Sequence, residues 1–186
     1  MYARFIKRIL DLIFGLFLSI ILIPVFIIIV AIIVIDDGFP VIYKQERVGK
    51  EGKLFGIYKF RSMVKNADKI GPTSTASGDK RITKSGRILR KTSLDELPQV
   101  WNVVKGDMSF IGYRPGVMSE ETDLKAKKYR QRPGITGMAQ THGRSNITLD
   151  ELHYWEDYYA DNISFTLDVK IFFKTFAFVL GGKNGN

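Results

Sequence analysis

The strongest constraint on this chain is one block, LIFGLFLSIILIPVFIIIVAIIVI, which runs from Leu12 to Ile35 without a charged residue and is bounded by Asp11 and by Asp36-Asp37. About 20 apolar residues suffice for a helix to cross a bilayer, whereas a signal peptide has an apolar core of about 7–15 residues and a small-residue cleavage site. No such cleavage site follows, so the block reads as a retained membrane segment. Pro24 stands at its midpoint. Proline removes a backbone hydrogen bond and clashes with the preceding turn, so the helix is expected to break between Ser19 and Pro24. Each half is then about 12 residues, or about 18 Å at 1.5 Å per residue, short of a hydrocarbon core about 30 Å thick.

Charge bears on topology. The net charge is +9, from 28 Lys and Arg against 19 Asp and Glu, and residues 1–11 carry +2 of it (Arg4, Lys7 and Arg8 against Asp11). Both flanks of the block are therefore basic, and a single span would place one of them on the wrong face. A re-entrant helix-break-helix over residues 1–37, with residues 38–186 forming one cytoplasmic domain, satisfies both flanks; a kinked ordinary span is the competing reading. At 186 residues there is room for one domain of ordinary size. The positive excess points to polyanions as partners: anionic lipid, phosphate-rich substrates or nucleic acid. The chain has no cysteine, which excludes a disulfide framework, a thiolate metal site and a cysteine nucleophile.

Beyond the block, VIYKQERV (41–48) and KLFGIYKF (53–60) flank Gly49-Lys50-Glu51-Gly52 and read as a hairpin. Residues 66–86 are rich in Gly, Ser and Thr and read as a surface loop, a candidate lid. Helical patterns are expected through Leu97–Val104, stopping at Lys105-Gly106-Asp107, and from Ser119 to about Arg130. Near the C-terminus Phe165, Val169, Phe172, Phe173, Phe176 and Leu180 recur at helical spacing, with Asp168 and Lys174 opposite. That stripe suits either a core face or an interfacial helix.

The densest charge is DKRITKSGRILRKTSLDELPQ (79–99), where six basic residues precede Asp95-Glu96. Ser93-x-x-Glu96 matches a capping box, the structural reading of the two acids. Pro98 pushes the helix start to Asp95 or later, leaving Asp95 at a helix mouth beside Arg90 and Lys91, where positive charge favours an ionised carboxylate. Such a carboxylate can attack phosphorus or ligate Mg²⁺, and neighbouring arginines can neutralise a diphosphate. Arginines also stand beside Gly or Pro in Gly112-Tyr113-Arg114-Pro115, Arg130-Gln131-Arg132-Pro133-Gly134 and His142-Gly143-Arg144, with Lys59 and Arg61 in the hairpin. P-loop, dinucleotide and nucleic-acid motifs are missing, and His142 and His153 are not at metal-ligand spacing. Three functional classes fit: a transferase on a diphosphate substrate with a covalent intermediate, a transferase on phospholipid without a covalent intermediate, and a membrane-tethered nucleic-acid binder. The last ranks lowest, so no nucleic-acid partner is expected.

LRKTSLDELPQVWNVVKGDMSFIG, with YKFRSM before it and RPGITGMAQ and NISFTLDVKI after it, closely resembles the bacterial sugar transferase family, the monotopic polyprenol-phosphate phosphoglycosyltransferases in their smallest form. The resemblance implies transfer of a sugar 1-phosphate from a UDP-sugar to undecaprenyl phosphate, with release of UMP and use of Mg²⁺. It maps the family's catalytic dyad onto Asp95 and Glu96, with Asp95 forming a phosphosugar-aspartyl intermediate and lying at the metal. It maps phosphate or nucleotide contacts onto Lys59, Arg90, Arg114 and Arg144, and the broken re-entrant helix onto Pro24. The implied place is the cytoplasmic face of the bacterial inner membrane, in contact with membrane lipid, at the first membrane step of glycoconjugate synthesis. The expected fold is mainly α, formally α+β through the hairpin, with a re-entrant anchor and interfacial amphipathic helices. Three positions depart from the family pattern: Tyr113 and Met138 replace a usual proline and tryptophan, and Ile23 replaces the serine common before the proline.

Overall fold

A computed structural model describes residues 1–71, 78–121, 123–143 and 147–180. Helix dominates, with two small sheets. After a π-helical turn at Tyr2–Ile6, α1 spans Lys7–Ile21 and α2 spans Ile23–Asp37, the two bent by 59° across Leu22. Pro24 occupies the first turn of α2, where its missing N–H is harmless. Ser19 Oγ donates to the Gly15 carbonyl at 2.7 Å, a back-bond that bends helices and takes the place of a serine before Pro24. Among the described residues no single helix is long and apolar enough to cross a membrane, and only the bent pair together passes on length and composition.

Both ends of this pair are tied to the same body. Arg8 donates to the Val103 and Val104 carbonyls, and Asp11 accepts from the Phe110 N–H. At the far end Asp36 accepts from the Ser85 N–H, while Arg61 bonds the Asp37 and Gly38 carbonyls and pairs with the Asp37 carboxylate at 2.9 Å. Arg61, a candidate anion binder by sequence, thus closes the end of α2. Between these ties α2 turns Phe26, Ile29 and Ile33 onto Phe60, Leu89 and Val100, the main buried cluster, and leaves Ile27, Ile28, Ile32 and Ile35 exposed.

The hairpin forms as expected: β1 (Ile42–Val48) pairs antiparallel with β2 (Leu54–Phe60), Ile42 opposite Phe60. Residues 66–86 are only partly loop. α3 covers Ala67–Ile70, residues 72–77 lie outside the described set, and Lys84 opens a helix, α4 (Lys84–Lys91). Gly86 reads as a helix breaker, yet a Cβ there would collide with the Ser62 carbonyl, so this glycine permits close packing of α4 on the irregular segment that follows β2. α5 runs Gln99–Lys105 and ends at Gly106, whose φ of 95° suits glycine. The helix expected over Ser119–Arg130 is not formed. Two single 3₁₀ turns, Met118–Glu120 and Lys127–Arg130, stand there instead, because Lys128 and Tyr129 are drawn into a buried cluster with Tyr113 and Val48.

A second sheet, which no local signal announced, pairs β3 (Ser109–Ile111) in parallel with β4 (Gly134–Thr136). α6 (Leu149–Asp161) opens with a capping box, Thr148 and Glu151. α7 spans Phe165–Leu180. Its expected outer residue Asp168 is instead buried, accepting at 2.6 Å from Tyr2, from Lys7 and from Tyr159. Phe165, Phe172, Phe173 and Phe176 are exposed, and Ile171 faces the core. Met138 packs toward that same cluster of Ile111, Tyr159 and Ile171.

Candidate active site

The acids sit on a single 3₁₀ turn, Leu94–Glu96, between α4 and α5. Ser93 before it is left-handed at φ 57° and makes no side-chain cap, so the Ser93–Glu96 capping box does not form. The turn drops Asp95 inward, 7% exposed, and leaves Glu96 part-buried. Lys59 on β2 donates to Glu96 Oε1 at 2.8 Å, and Arg114 lies 3.8 Å from the same oxygen with a largely exposed side chain. Arg90 on α4 donates from Nε to Ser62 Oγ at 3.0 Å. The fold therefore brings Asp95, Glu96, Lys59, Arg90 and Arg114 together from separate segments. Arg144 lies outside the described residues.

Electrostatics corrects one expectation. Burial first, and the neighbouring Glu96 second, push the Asp95 carboxyl above the usual aspartate range, with Lys59 and Arg90 opposing. The surrounding positive charge does not prevail over desolvation, because the 3₁₀ turn carries the side chain inward.

Other residues support the site without a sequence signal. Arg47 on β1 donates to Gln45 and to the Pro115 carbonyl, and with Lys59, Glu96, Gln99 and Arg114 it lines a small cleft. Glu156 on α6 accepts the Arg114 N–H at 3.3 Å and pairs with Lys128 at 3.1 Å; burial raises its carboxyl above the usual range, against the pull of Lys128. Tyr113 fills the place of the expected proline differently. Its ring is buried edge-on against Tyr129 at 5.3 Å, and Glu156 fixes the backbone that a proline would have stiffened. Arg132 bonds the Gly106 carbonyl and so serves the end of α5. His142 stacks on Trp155 at 3.9 Å, a packing role.

A cavity of about 290 Å³ opens beside the acids. Ser93, Glu96 and Arg114 stand at its wall together with Leu18 and Leu22 at the α1–α2 bend and Phe172 and Phe176 of α7. Among the described residues no group of three or more His, Asp or Glu is arranged to hold a metal. Two adjacent carboxylates nonetheless suit Mg²⁺, which commonly takes one or two carboxylates and completes its shell with water and substrate phosphates.

Adjacent acids with three cations nearby, next to a largely apolar cavity at the bend of the α1–α2 pair, suit the binding of phosphate groups. The bacterial sugar transferase family model matches residues 2–182, and the chain belongs to that family. It is 40% identical over 169 residues to the uncharacterized sugar transferase EpsL of Bacillus subtilis, covering 89% of this chain and 83% of that protein. It is 40% identical over 197 residues to undecaprenyl-phosphate galactose phosphotransferase of Salmonella typhimurium, and 39% over 197 residues to UDP-galactose-lipid carrier transferase of Erwinia amylovora. In both comparisons the match covers 96% of this chain and 41% of the relative, so the chain spans about two fifths of their length.

Proposed function

We propose that the protein transfers a sugar 1-phosphate from a UDP-sugar to undecaprenyl phosphate and releases UMP. The observation that carries this is the Asp95-Glu96 pair held among Lys59, Arg90 and Arg114, on a chain whose relatives include an undecaprenyl-phosphate galactose phosphotransferase. Residues 38–186 form the catalytic domain. Residues 1–37 form a re-entrant anchor at the cytoplasmic face of the inner membrane. The anchor reading is supported by the 59° bend and by ties that hold Arg8 and Asp37 to one body. Each helix has 15 residues, about 22 Å, short of the hydrocarbon thickness of about 30 Å.

In the first step an Asp95 carboxylate oxygen attacks the sugar-bearing phosphorus. The bond from that phosphorus to the bridging oxygen breaks, and the electron pair leaves with UMP. Burial has already stripped water from the attacking group. In the second step an oxygen of the acceptor phosphate attacks the same phosphorus and expels Asp95. Glu96, poised between Lys59 and Arg114, orients the acceptor phosphate and takes its remaining proton. Arg90, Arg114, Lys59 and Arg144 neutralise phosphate charge. Asp95 would hold Mg²⁺, which when bound would supply further neutralisation of the diphosphate.

The test incubates the protein with Mg²⁺ and a UDP-sugar labelled in the sugar, without acceptor, and then adds undecaprenyl phosphate. Label is expected on Asp95 and then on lipid, with UMP released. Lipid product without label on protein, and with activity surviving Asp95→Asn, would instead indicate direct transfer.

A further inference from the structure

The hairpin presents more than Lys59 to the acids. Side chains two apart on a strand share a face, and the register sets Tyr43 opposite Lys59 and Gln45 opposite Ile57. Gln45 and Arg47 therefore stand on the same side of the hairpin as Lys59, which reaches Glu96, while Lys44 and Glu46 on the other side are exposed. Arg47 is held in one orientation there. Its Nε and Nη2 both donate to Gln45 Oε1, at 3.1 and 2.6 Å, and its Nη1 donates to the Pro115 carbonyl at 3.2 Å. These bonds fix the plane of the guanidinium, go only to neutral oxygens, and leave the remaining N–H groups of the terminal nitrogens open. No carboxylate pairs with Arg47 among the described residues. Burial first, and the Arg114 guanidinium second, work against its charge, with Glu120, Tyr43 and Glu96 in its favour. A part-buried cation without a counter-charge is costly, and an incoming anion would relieve that cost.

Arg47 lines a cleft of about 20 Å³ together with Lys59, Glu96, Gln99, Arg114 and Pro115. Three cations meet one carboxylate in that lining, so positive charge is in excess. Since about 10–15 Å³ holds one water, the cleft has room for one oxygen atom of a group seated at its mouth. It shares Glu96, Arg114 and Ile135 with the larger cavity, but no residue of α1, α2 or α7 lines it. The cleft is thus set apart from the exposed apolar helices and suits a water-soluble anion.

We infer that this cleft receives a nonbridging phosphate oxygen of the sugar-nucleotide donor, and that Arg47 is a substrate-binding residue for its diphosphate, aimed by Gln45. This rests on the transfer reading above and deepens it. A guanidinium offers phosphate parallel N–H donors, and the phosphate supplies the counter-charge that Arg47 lacks. The Arg47 bond to Pro115 and the Val48 N–H bond to the Gly116 carbonyl also tie the turn that bears Arg114 to β1, so both guanidiniums are anchored around one opening.

Two measurements test it. In the first, Arg47→Gln is assayed with separate titrations of UDP-sugar and undecaprenyl phosphate. The donor KM is expected to rise about tenfold or more, as for loss of a hydrogen-bonded charge, with the acceptor KM unchanged within twofold. A rise in the acceptor KM instead would assign the cleft to the lipid phosphate. A fall in kcat with both KM values unchanged would make Arg47 a brace for the Pro115 turn and nothing more; either result overturns the inference. Arg47→Lys keeps the charge and the stem but not the fork, and its donor KM should rise at least threefold. A parental donor KM in that variant would refute the contact even if the glutamine variant failed to fold. The second measurement needs no turnover: UDP and uridine are titrated calorimetrically against the parent and Arg47→Gln in detergent. UDP is expected to bind about tenfold more weakly to the variant and uridine equally to both. Unchanged UDP binding, or an equal loss for uridine, would overturn the phosphate contact. A parent protein that neither labels Asp95 nor releases UMP would defeat the transfer reading itself, a result distinct from a parent that reacts normally and variants that do not discriminate.

Discussion

Asp168 offers the most severe test of the packing described here. Its two oxygens accept three hydrogen bonds of 2.6 Å, from Tyr2, Lys7 and Tyr159, and the side chains of Lys7 and Asp168 are only 11% and 9% exposed. Asp168→Ala leaves the Lys7 ammonium buried without its counter-charge and deprives Tyr2 of its acceptor. Breaking a buried pair in this way costs about 3–5 kcal/mol, whereas an exposed pair contributes about 0–1 kcal/mol. For a chain of this size each kcal/mol moves the midpoint by about 2–4 °C, so a fall of about 6–20 °C is expected. The assay is thermal unfolding in detergent at one fixed scan rate, with Asp168→Asn as the variant that keeps shape and loses charge. The double variant Lys7→Met with Asp168→Leu should recover part of the loss, because removing both charges removes the desolvation cost as well. A fall of less than about 4 °C for Asp168→Ala would match a surface pair and refute the buried-network account.

Asp95→Asn is expected to abolish label transfer and yet to be more stable than the parent at pH 7. Burial and Glu96 raise the Asp95 carboxyl in the folded state, so the native protein holds its proton to higher pH than the unfolded chain and loses stability as pH rises through that interval. The stability difference should therefore shrink as pH falls through the raised value toward about 4, the ordinary aspartate range, and be lost below it; a constant difference from pH 4 to 7 would contradict it. Gly86→Ala should destabilise by about 1–3 kcal/mol, read by the same melting assay, since a Cβ meets the Ser62 backbone and not a yielding side chain. It should also lower turnover, because Ser62 holds Arg90; a melt unchanged from the parent would show that α4 can shift freely. For the anchor, Ala3→Cys and Phe39→Cys in sealed vesicles should react with an impermeant maleimide from the same side, and reaction from opposite sides would establish a span.

How much was legible in advance follows the range of the interactions. The hairpin of 42–60, the break near Pro24, the stop at Gly106 and the apolar stripe of 165–180 depend on neighbours a few residues away, and each appears where local pattern put it. α4 is masked in the local pattern because Gly86, in a stretch rich in Gly, Ser and Thr, resembles a loop glycine, when its role is the absence of a side chain beside Ser62. The stretch 119–130 has a helical pattern but is held in two short turns, since Lys128 gains Glu121 and Glu156 as buried partners. A parallel pairing between residues 25 apart in the chain, Ser109 with Gly134, has no local signature at all.

The candidate site divides in the same way. Sequence alone determined that an uncharged, proline-broken segment leads into a basic domain with paired acids at 95 and 96, because hydropathy, proline geometry and charge are properties of residue types. Only the tertiary structure decided which cations reach those acids: Lys59 and Arg114 meet Glu96, while Arg61 and Arg132 are spent on helix ends. It also decided that Asp95 and Asp168 are buried. The physical reason is that an ion pair or a desolvated carboxylate is made by distance and exclusion of water, and both are set by segments far apart in the chain.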